Sequence, residues 1–400
     1  MIDLDLVRAD TPSVLERTFL NHAGASPNAD PVLEVVIAHL RDEARLGAYE
    51  SEVLRRPDLD RARGSVATLL GCADTDVAFA TSATDAWERA FWAFRWAPGD
   101  VVLTCRSEYV TNVLNLLAAR DRFGIRVELV DDDPSGAIDV ADLRRRLEDP
   151  AVRLVAVSHV PTQGGLVNPA AEVGAACRDA GVPFLLDACQ SVGQMVLDVD
   201  ALGCDVLTAT GRKYLRAPRG TGFLYVRPQL AGRLAPAASG GAEWTGTDSY
   251  SLPEGAARFE SYERSIAGVL GLGAAVDYAL AIGLDAIERR VTTLADRLRA
   301  GLRSLDGVVV RDLGTRRCGI VTFTVDGVDP TEVRDALAVE QVWVWTTEAR
   351  FARIDLPGRG IESMVRASVH YLNTEEEVDR TLGLIERIAS RRTGRGGAGP

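Results

Sequence analysis

Histidine is scarce in this 400-residue chain: there are four, none at the spacing of a metal-ligand pair, so a metal centre is not expected. The six cysteines (Cys72, Cys105, Cys177, Cys189, Cys204 and Cys318) form no C-x-x-C pair. They read as a reduced, mostly buried set, which fits a cytoplasmic protein. Positive charge is not in excess. The formal net charge of −12 excludes nucleic acid and anionic membrane as default partners. No basic segment followed by an apolar one opens the chain, since "MIDLDLVRAD" is acidic from its third residue. Nor is there an uninterrupted membrane-length apolar run. The longest, "IAGVLGLGAAVDYALAIGL" (266–284), is broken by Asp277 and Tyr278 and leads into an amphipathic stretch, the pattern of a helix buried against a domain. No internal repeat is visible.

What is present is ordinary globular composition, 46% hydrophobic and 26% charged, at a length that allows one large domain and a smaller one. Between about residues 60 and 230, short apolar, β-branched runs alternate with helical patterns. The runs are "VAFA" (77–80), "VVLTC" (101–105), "RVELV" (126–130), "RLVAVS" (153–158), "PFLLD" (183–187), "DVLTA" (205–209) and "GFLYV" (222–226). Such alternation predicts an α/β fold with a mostly parallel seven-stranded sheet between helices. Ligands of such sheets sit beyond the carboxyl ends of the strands. An irregular Gly-rich stretch (239–255) follows, then mixed helices and strands, including "VWVWT", that predict a smaller α+β domain. The expected divisions are an N-terminal segment 1–22, a large domain 23–263, a small domain 264–390 and a disordered tail 391–400.

Two strand ends carry chemistry. Asp187 closes "PFLLD" and Lys213 follows "DVLTA", so a carboxylate and an amine reach one rim of the sheet. Taken singly, an aspartate there is more often a helix cap and a lysine a solvated charge. Near residue 82, a strand ends in small hydroxyl residues at a helix start, where free N–H groups suit an anion. A lysine, a carboxylate and an anion cradle are the three groups that pyridoxal 5′-phosphate requires: a Schiff-base amine, a partner for the pyridine nitrogen and a phosphate site.

The motifs "D187-A-C-Q190", "T210-G-R-K213" and "R219-G-T-G-F-L-Y-V" resemble the class V, fold type I aminotransferase family, which includes cysteine desulfurases and hercynylcysteine sulfoxide C–S lyases. "FLNHAGASP", "SEYVTN", "VSHVPTQGGLVNP" and "VRASVHYLNTEEEVDR" resemble further family landmarks in the family's order. The resemblance implies that Lys213 attaches the cofactor, Asp187 pairs with its ring nitrogen and Gln190 contacts its phenolate. It implies that Tyr109 stacks on the ring and that Ala83, Thr84, Thr210 and Arg212 hold the phosphate. Arg366 in "VRAS" would grip the substrate carboxylate, as a guanidinium does in bidentate fashion. Asn21 and His22 would lie near the substrate, although a structural role for His22 is equally open. Thr162 and Gln163 depart from the family pattern, and Arg212 stands where a histidine is common. Tyr49, Glu50, Glu243 and Trp244 fall in segments that approach active sites in relatives, the last two from the partner of a homodimer.

In cysteine desulfurases, a cysteine in the loop before the arginine-bearing strand accepts the sulfur. Here that loop, residues 346–363, contains none. The sequence therefore points to a C–S lyase, closest in look to the hercynylcysteine sulfoxide type and to lincosamide-type natural-product relatives. β-Elimination from an S-substituted cysteine, thioether or sulfoxide, would give a thiol-type product, pyruvate and ammonia. Epimerisation or decarboxylation coupled to oxidative deamination is the alternative on the same site, followed by desulfuration and by a non-catalytic cofactor-binding protein.

Overall fold

The computed structural model describes residues 2–237 and 241–393. All seven expected strands form, labelled here β1 (Val77–Ala80), β2 (Val101–Thr104), β3 (Arg126–Leu129), β4 (Val152–Ser158), β5 (Phe184–Asp187), β6 (Val206–Thr210) and β7 (Gly222–Val226). They make one sheet in the order β1-β7-β6-β5-β4-β2-β3. Strands β3 to β2, β2 to β4, β4 to β5 and β5 to β6 pair in parallel, whereas β7 runs antiparallel to both β1 and β6. The central strands β5, β6 and β7 are buried along their whole length, which is why each is written in apolar and small residues with no alternation.

Helix Ile266–Ile282 is the long apolar run. It packs on Asp30–Leu46 and Ala48–Leu70, and ten of its residues are buried. Among the described residues no single helix is long and apolar enough to cross a membrane. The C-terminal region builds a four-stranded antiparallel sheet from β8 (Val308–Val310), β9 (Ile320–Val325), β10 (Trp345–Glu348) and β11 (Ser363–Ser368), in the order β8-β9-β11-β10.

Three local expectations are corrected. The single strand expected over "VWVWT" splits at Val344: Val342–Trp343 pairs in parallel with Thr18–Phe19, and β10 starts afresh at Trp345. Backbone pairing to the N-terminal segment competes successfully with continuation. The segment expected to be irregular contains an antiparallel hairpin, Glu243–Gly246 with Ser249–Ser251, because Gly246, Thr247 and Asp248 supply turn chemistry between the arms. The final helix, Glu375–Thr393, runs three residues into the expected tail before the sequence becomes glycine-rich; residues 394–400, like Ala238–Gly240, lie outside the described residues.

Three of the four histidines are buried neutral. Burial pushes His22 and His159 down to about 3, helped by the charges of Arg216 and Arg316, and pushes His370 well below its ordinary value. The unfolded chain takes up protons at these sites below about pH 6.5 while the folded chain does not, so stability falls as pH falls from there toward 3. Each histidine contributes roughly 1.4 kcal/mol per pH unit. Glu108, a buried carboxyl raised to about 7, offsets one of the three. Urea unfolding is therefore expected to show stability falling as the pH is lowered from 7 to 5, most steeply below about pH 6.5; a flat profile would contradict the neutral histidines.

Candidate active site

Strands β5 and β6 end side by side, Asp187 opposite Thr208, and the turns that follow carry the chemistry. After β6, Thr210-Gly-Arg-Lys213 turns back so that Lys213 is 5% exposed and its Nζ donates to Cys189 Sγ at 3.2 Å. Burial, then the charge of Arg212, holds its amine below the ordinary lysine value. The Tyr109 ring centroid lies 6.0 Å from the same Nζ.

Asp187 is buried. Its carboxylate accepts Nδ2–H of Asn112 at 2.9 Å and the backbone N–H of Cys189 at 2.9 Å, leaving acceptor capacity unused on each oxygen. Burial raises it, while these bonds and Lys213 favour its charged form.

At the other end of the cavity, helix Ala83–Phe91 begins after Ser82, whose Oγ caps the N–H of Asp85. The preceding amides, Ala83 and Thr84, open the helix with no carbonyl behind them. Thr210 and Arg212 complete this end, with Arg212 Nη1 donating to Thr210 Oγ1 at 3.2 Å. The close approach depends on Gly222, where a Cβ would fall 2.6 Å from the Ser82 carbonyl carbon. The resulting cavity, about 220 Å³, is lined by Ala83, Thr84, Tyr109, Asp187, Thr210, Arg212 and Lys213 together. These are the residues that the motifs nominate for a phosphorylated pyridine, and their arrangement fits it: donors at one end, a buried carboxylate with free lone pairs at the other, a buried amine between.

Gln190, Arg366 and Asn21 are not among the residues lining this cavity; they form a separate wall, joined through Thr162 and Arg366. Gln190 Nε2 donates to Thr162 Oγ1 at 2.9 Å and to the Ala23 carbonyl, while its buried Oε1 has no partner. Arg366, on β11, donates to Thr162 Oγ1 at 2.8 Å and to Asn21 Oδ1 at 3.4 Å, and its buried Nε is unpartnered. Burial pushes Arg366 down to about 10, still a cation at neutral pH. Gln163 Nε2 reaches the Phe351 carbonyl at 3.2 Å, which ties the 346–363 segment to this wall.

His22 does not belong to the site. It is fully buried, its ring nitrogens engage Ser26 Oγ and the Phe19 carbonyl, and it packs on His370 at 4.6 Å. No face remains for a substrate, which corrects the substrate-contact expectation. Tyr49, Glu50, Glu243 and Trp244 do not line the Lys213 cavity within one chain; Tyr49 and Trp244 are exposed.

Motif reading gives no weight to Glu108, Asn112 or Cys189, all of which contact the site. Their signal is local: Glu108 and Asn112 stand four apart at a helix start in "SEYVTN", and Cys189 lies between Asp187 and Gln190. A stronger signal is compositional. Lys213 is the only lysine in the sequence.

The profile of the family described as "Aminotransferase class-V" matches residues 18–381. The chain belongs to that family. Pyridoxal 5′-phosphate is the family's cofactor, and the cavity built around Lys213 fits it. Among curated relatives, a probable cysteine desulfurase of Methanothermobacter thermautotrophicus is 30% identical over 392 residues, covering 96% of this chain and 97% of the relative. A cysteine desulfurase of Dickeya dadantii is 30% identical over 407 residues, covering 96% of each. Among solved structures, the apo cysteine desulfurase of Thermococcus onnurineus NA1 superposes with a TM-score of 0.88 at 28% identity over 98% of both chains. A cystine C–S lyase, C-DES, shares the fold at a TM-score of 0.83 and 24% identity, covering 95% of this chain and 99% of its own. The curated relatives described are named cysteine desulfurases rather than hercynylcysteine sulfoxide lyases, which narrows the resemblance to the family.

Proposed function

We propose that this family member breaks the C–S bond of an S-substituted cysteine, thioether or sulfoxide, releasing the sulfur-bearing fragment with pyruvate and ammonia. The names of its relatives support chemistry at a cysteine C–S bond. The observation that carries the finer reading is the absence of cysteine from residues 346–363, the segment tied through Gln163 and Phe351 to the Arg366 wall. Cys318, the nearest cysteine in sequence, is 2% exposed just before β9, an inner strand of the small sheet.

Pyridoxal phosphate, when bound, supplies an electron sink for the amino-acid Cα. The chain's residues do the rest. Lys213 would hold the cofactor aldehyde, and its amine, which burial holds below the ordinary lysine value, would take the Cα proton once substrate displaces it. Asp187 would face the ring nitrogen, Tyr109 would cover the ring and Gln190 would reach its phenolate edge. The N–H groups of Ala83 and Thr84, with Thr210 and Arg212, would bind the phosphate. Arg366 and Asn21 bind and orient the substrate carboxylate. We assign the enzyme a cytoplasmic role in making a sulfur-containing small molecule. We also place it in a homodimer, supported by exposed Tyr49, Trp244, Tyr250 and Tyr262, of which Tyr49 and Tyr262 line a second surface cavity.

The test incubates the loaded enzyme with free cysteine, S-alkyl cysteines and their sulfoxides. Pyruvate equal to the released thiol-type fragment is expected from the substituted substrates. Desulfuration is the second reading, favoured by the relatives' names and by Cys189, a thiol in the cavity. Transfer of the substrate sulfur to Cys189 would yield alanine and a persulfide. Alanine from free cysteine, lost in Cys189→Ser, would overturn the elimination reading.

A further inference from the structure

Behind Asp187 lies a second buried carboxylate that the proposed mechanism does not use. Glu108 is 4% exposed and sits at the start of helix Val110–Phe123. It accepts the backbone N–H of Tyr109 at 2.7 Å, that of Ser158 at 2.8 Å and Nδ2–H of Asn112 at 2.8 Å, besides the hydroxyls of Ser158 and Thr104. So many donors suit a charged carboxylate rather than a neutral acid, which would need an acceptor for its own proton. The same Asn112 nitrogen donates to Asp187 at 2.9 Å, one hydrogen to each carboxylate. Among the described residues no arginine or lysine forms an ion pair with Glu108.

The titratable groups around it are Cys105 after β2, Tyr109 on its own segment, Asp187 and Cys189 from β5 and its turn, and Lys213 after β6. Strand β4 contributes uncharged Ser158, followed by neutral His159. Two buried carboxylates thus share one amide. The cations lining the cavity are Lys213, committed to covalent attachment, with Arg212 and Arg219, and among the described residues none of them forms an ion pair with Asp187 or Glu108. The carboxylate pair therefore suits a further cationic group held against Asp187.

We propose that Glu108 is a positioning residue for the cofactor ring: fixed by Asn112, it supplies a second negative charge behind Asp187 that keeps the ring nitrogen protonated. This rests on the reading that Asp187 faces that nitrogen. The electrostatics support it, since burial and the Asp187 charge raise Glu108, and a cation against Asp187 relieves both.

The test is nitrogen-15 NMR of the holoenzyme loaded with ring-labelled pyridoxal phosphate, titrated between pH 6 and 10. In the native enzyme the ring nitrogen is expected to stay protonated to the alkaline end. Glu108→Gln keeps the shape but removes the charge, and should bring deprotonation down by about one pH unit or more. Glu108→Asp should restore most of the native profile, which a purely structural role would not require. If Glu108→Gln titrates as the native enzyme while Asp187→Asn loses the protonated signal, the inference is overturned and the Asp187 reading stands. If Asp187→Asn also changes nothing, both fall. Should Glu108→Gln fail to fold, the carbon-13 carboxyl signal of Glu108 in native holoenzyme at pH 7 decides: a carboxylate supports the inference, a protonated acid overturns it.

Discussion

Lys213→Ala will take up pyridoxal phosphate reversibly, lose it on gel filtration, and turn over S-substituted cysteine at least roughly 10³-fold more slowly than the native enzyme. Two roles vanish together: the covalent anchor and the amine that moves the Cα proton. The anion cradle of Ala83, Thr84, Thr210 and Arg212 remains, so binding weakens rather than disappears. Added small amines should restore part of the rate, because the cavity left by the side chain lies where the base stood. Lys213→Arg is not a conservative replacement, since a guanidinium stays protonated and cannot serve as a base at neutral pH. Dialysis-resistant absorbance and near-native turnover in Lys213→Ala would place the chemistry elsewhere.

Arg366→Leu is expected to act on substrate rather than cofactor. The guanidinium is buried, holds Thr162 and Asn21, and keeps its Nε free for an incoming carboxylate. Truncating one member of a buried, hydrogen-bonded charge pair costs about 2–5 kcal/mol, so kcat/KM should drop about 30-fold at least and as much as several thousand-fold. Most of this should appear in KM, with the cofactor spectrum in the absence of substrate unchanged. Arg366→Lys should recover little, because one ammonium cannot make two parallel bonds. A loss confined to kcat, with substrate still saturating at native concentrations, would contradict the carboxylate role.

The parallel sheet was legible because its central strands are buried on both faces and so stand out as apolar runs between helices. Asp187 and Lys213 were legible for the same reason: each follows such a run, and strand direction puts both at one rim. Contacts across long separations were not. Arg366 meets Thr162 over 204 residues, and Asn112 meets Asp187 over 75, pairings that depend on how strands and small domain pack. His22 illustrates the opposite case. Its neighbourhood in the sequence belongs to the site, since Asn21 bonds to Arg366 and Ala23 to Gln190. Residues 22–24 nevertheless form a turn, closed by the Gly24 N–H on the Asn21 carbonyl, and that turn sends His22 into the core. Glu108 could be read only as a polar residue at a helix start, because its significance is the second carboxylate beside it in space.

Because Lys213 is the only lysine, one measurement tests the central claim with little ambiguity. The holoenzyme is reduced with borohydride, digested, and searched by mass spectrometry for a phosphopyridoxyl adduct. A single stoichiometric adduct on the peptide containing Lys213 is expected. No adduct, or one confined to the N-terminal amine, would contradict the assignment of Lys213 and the site built around it.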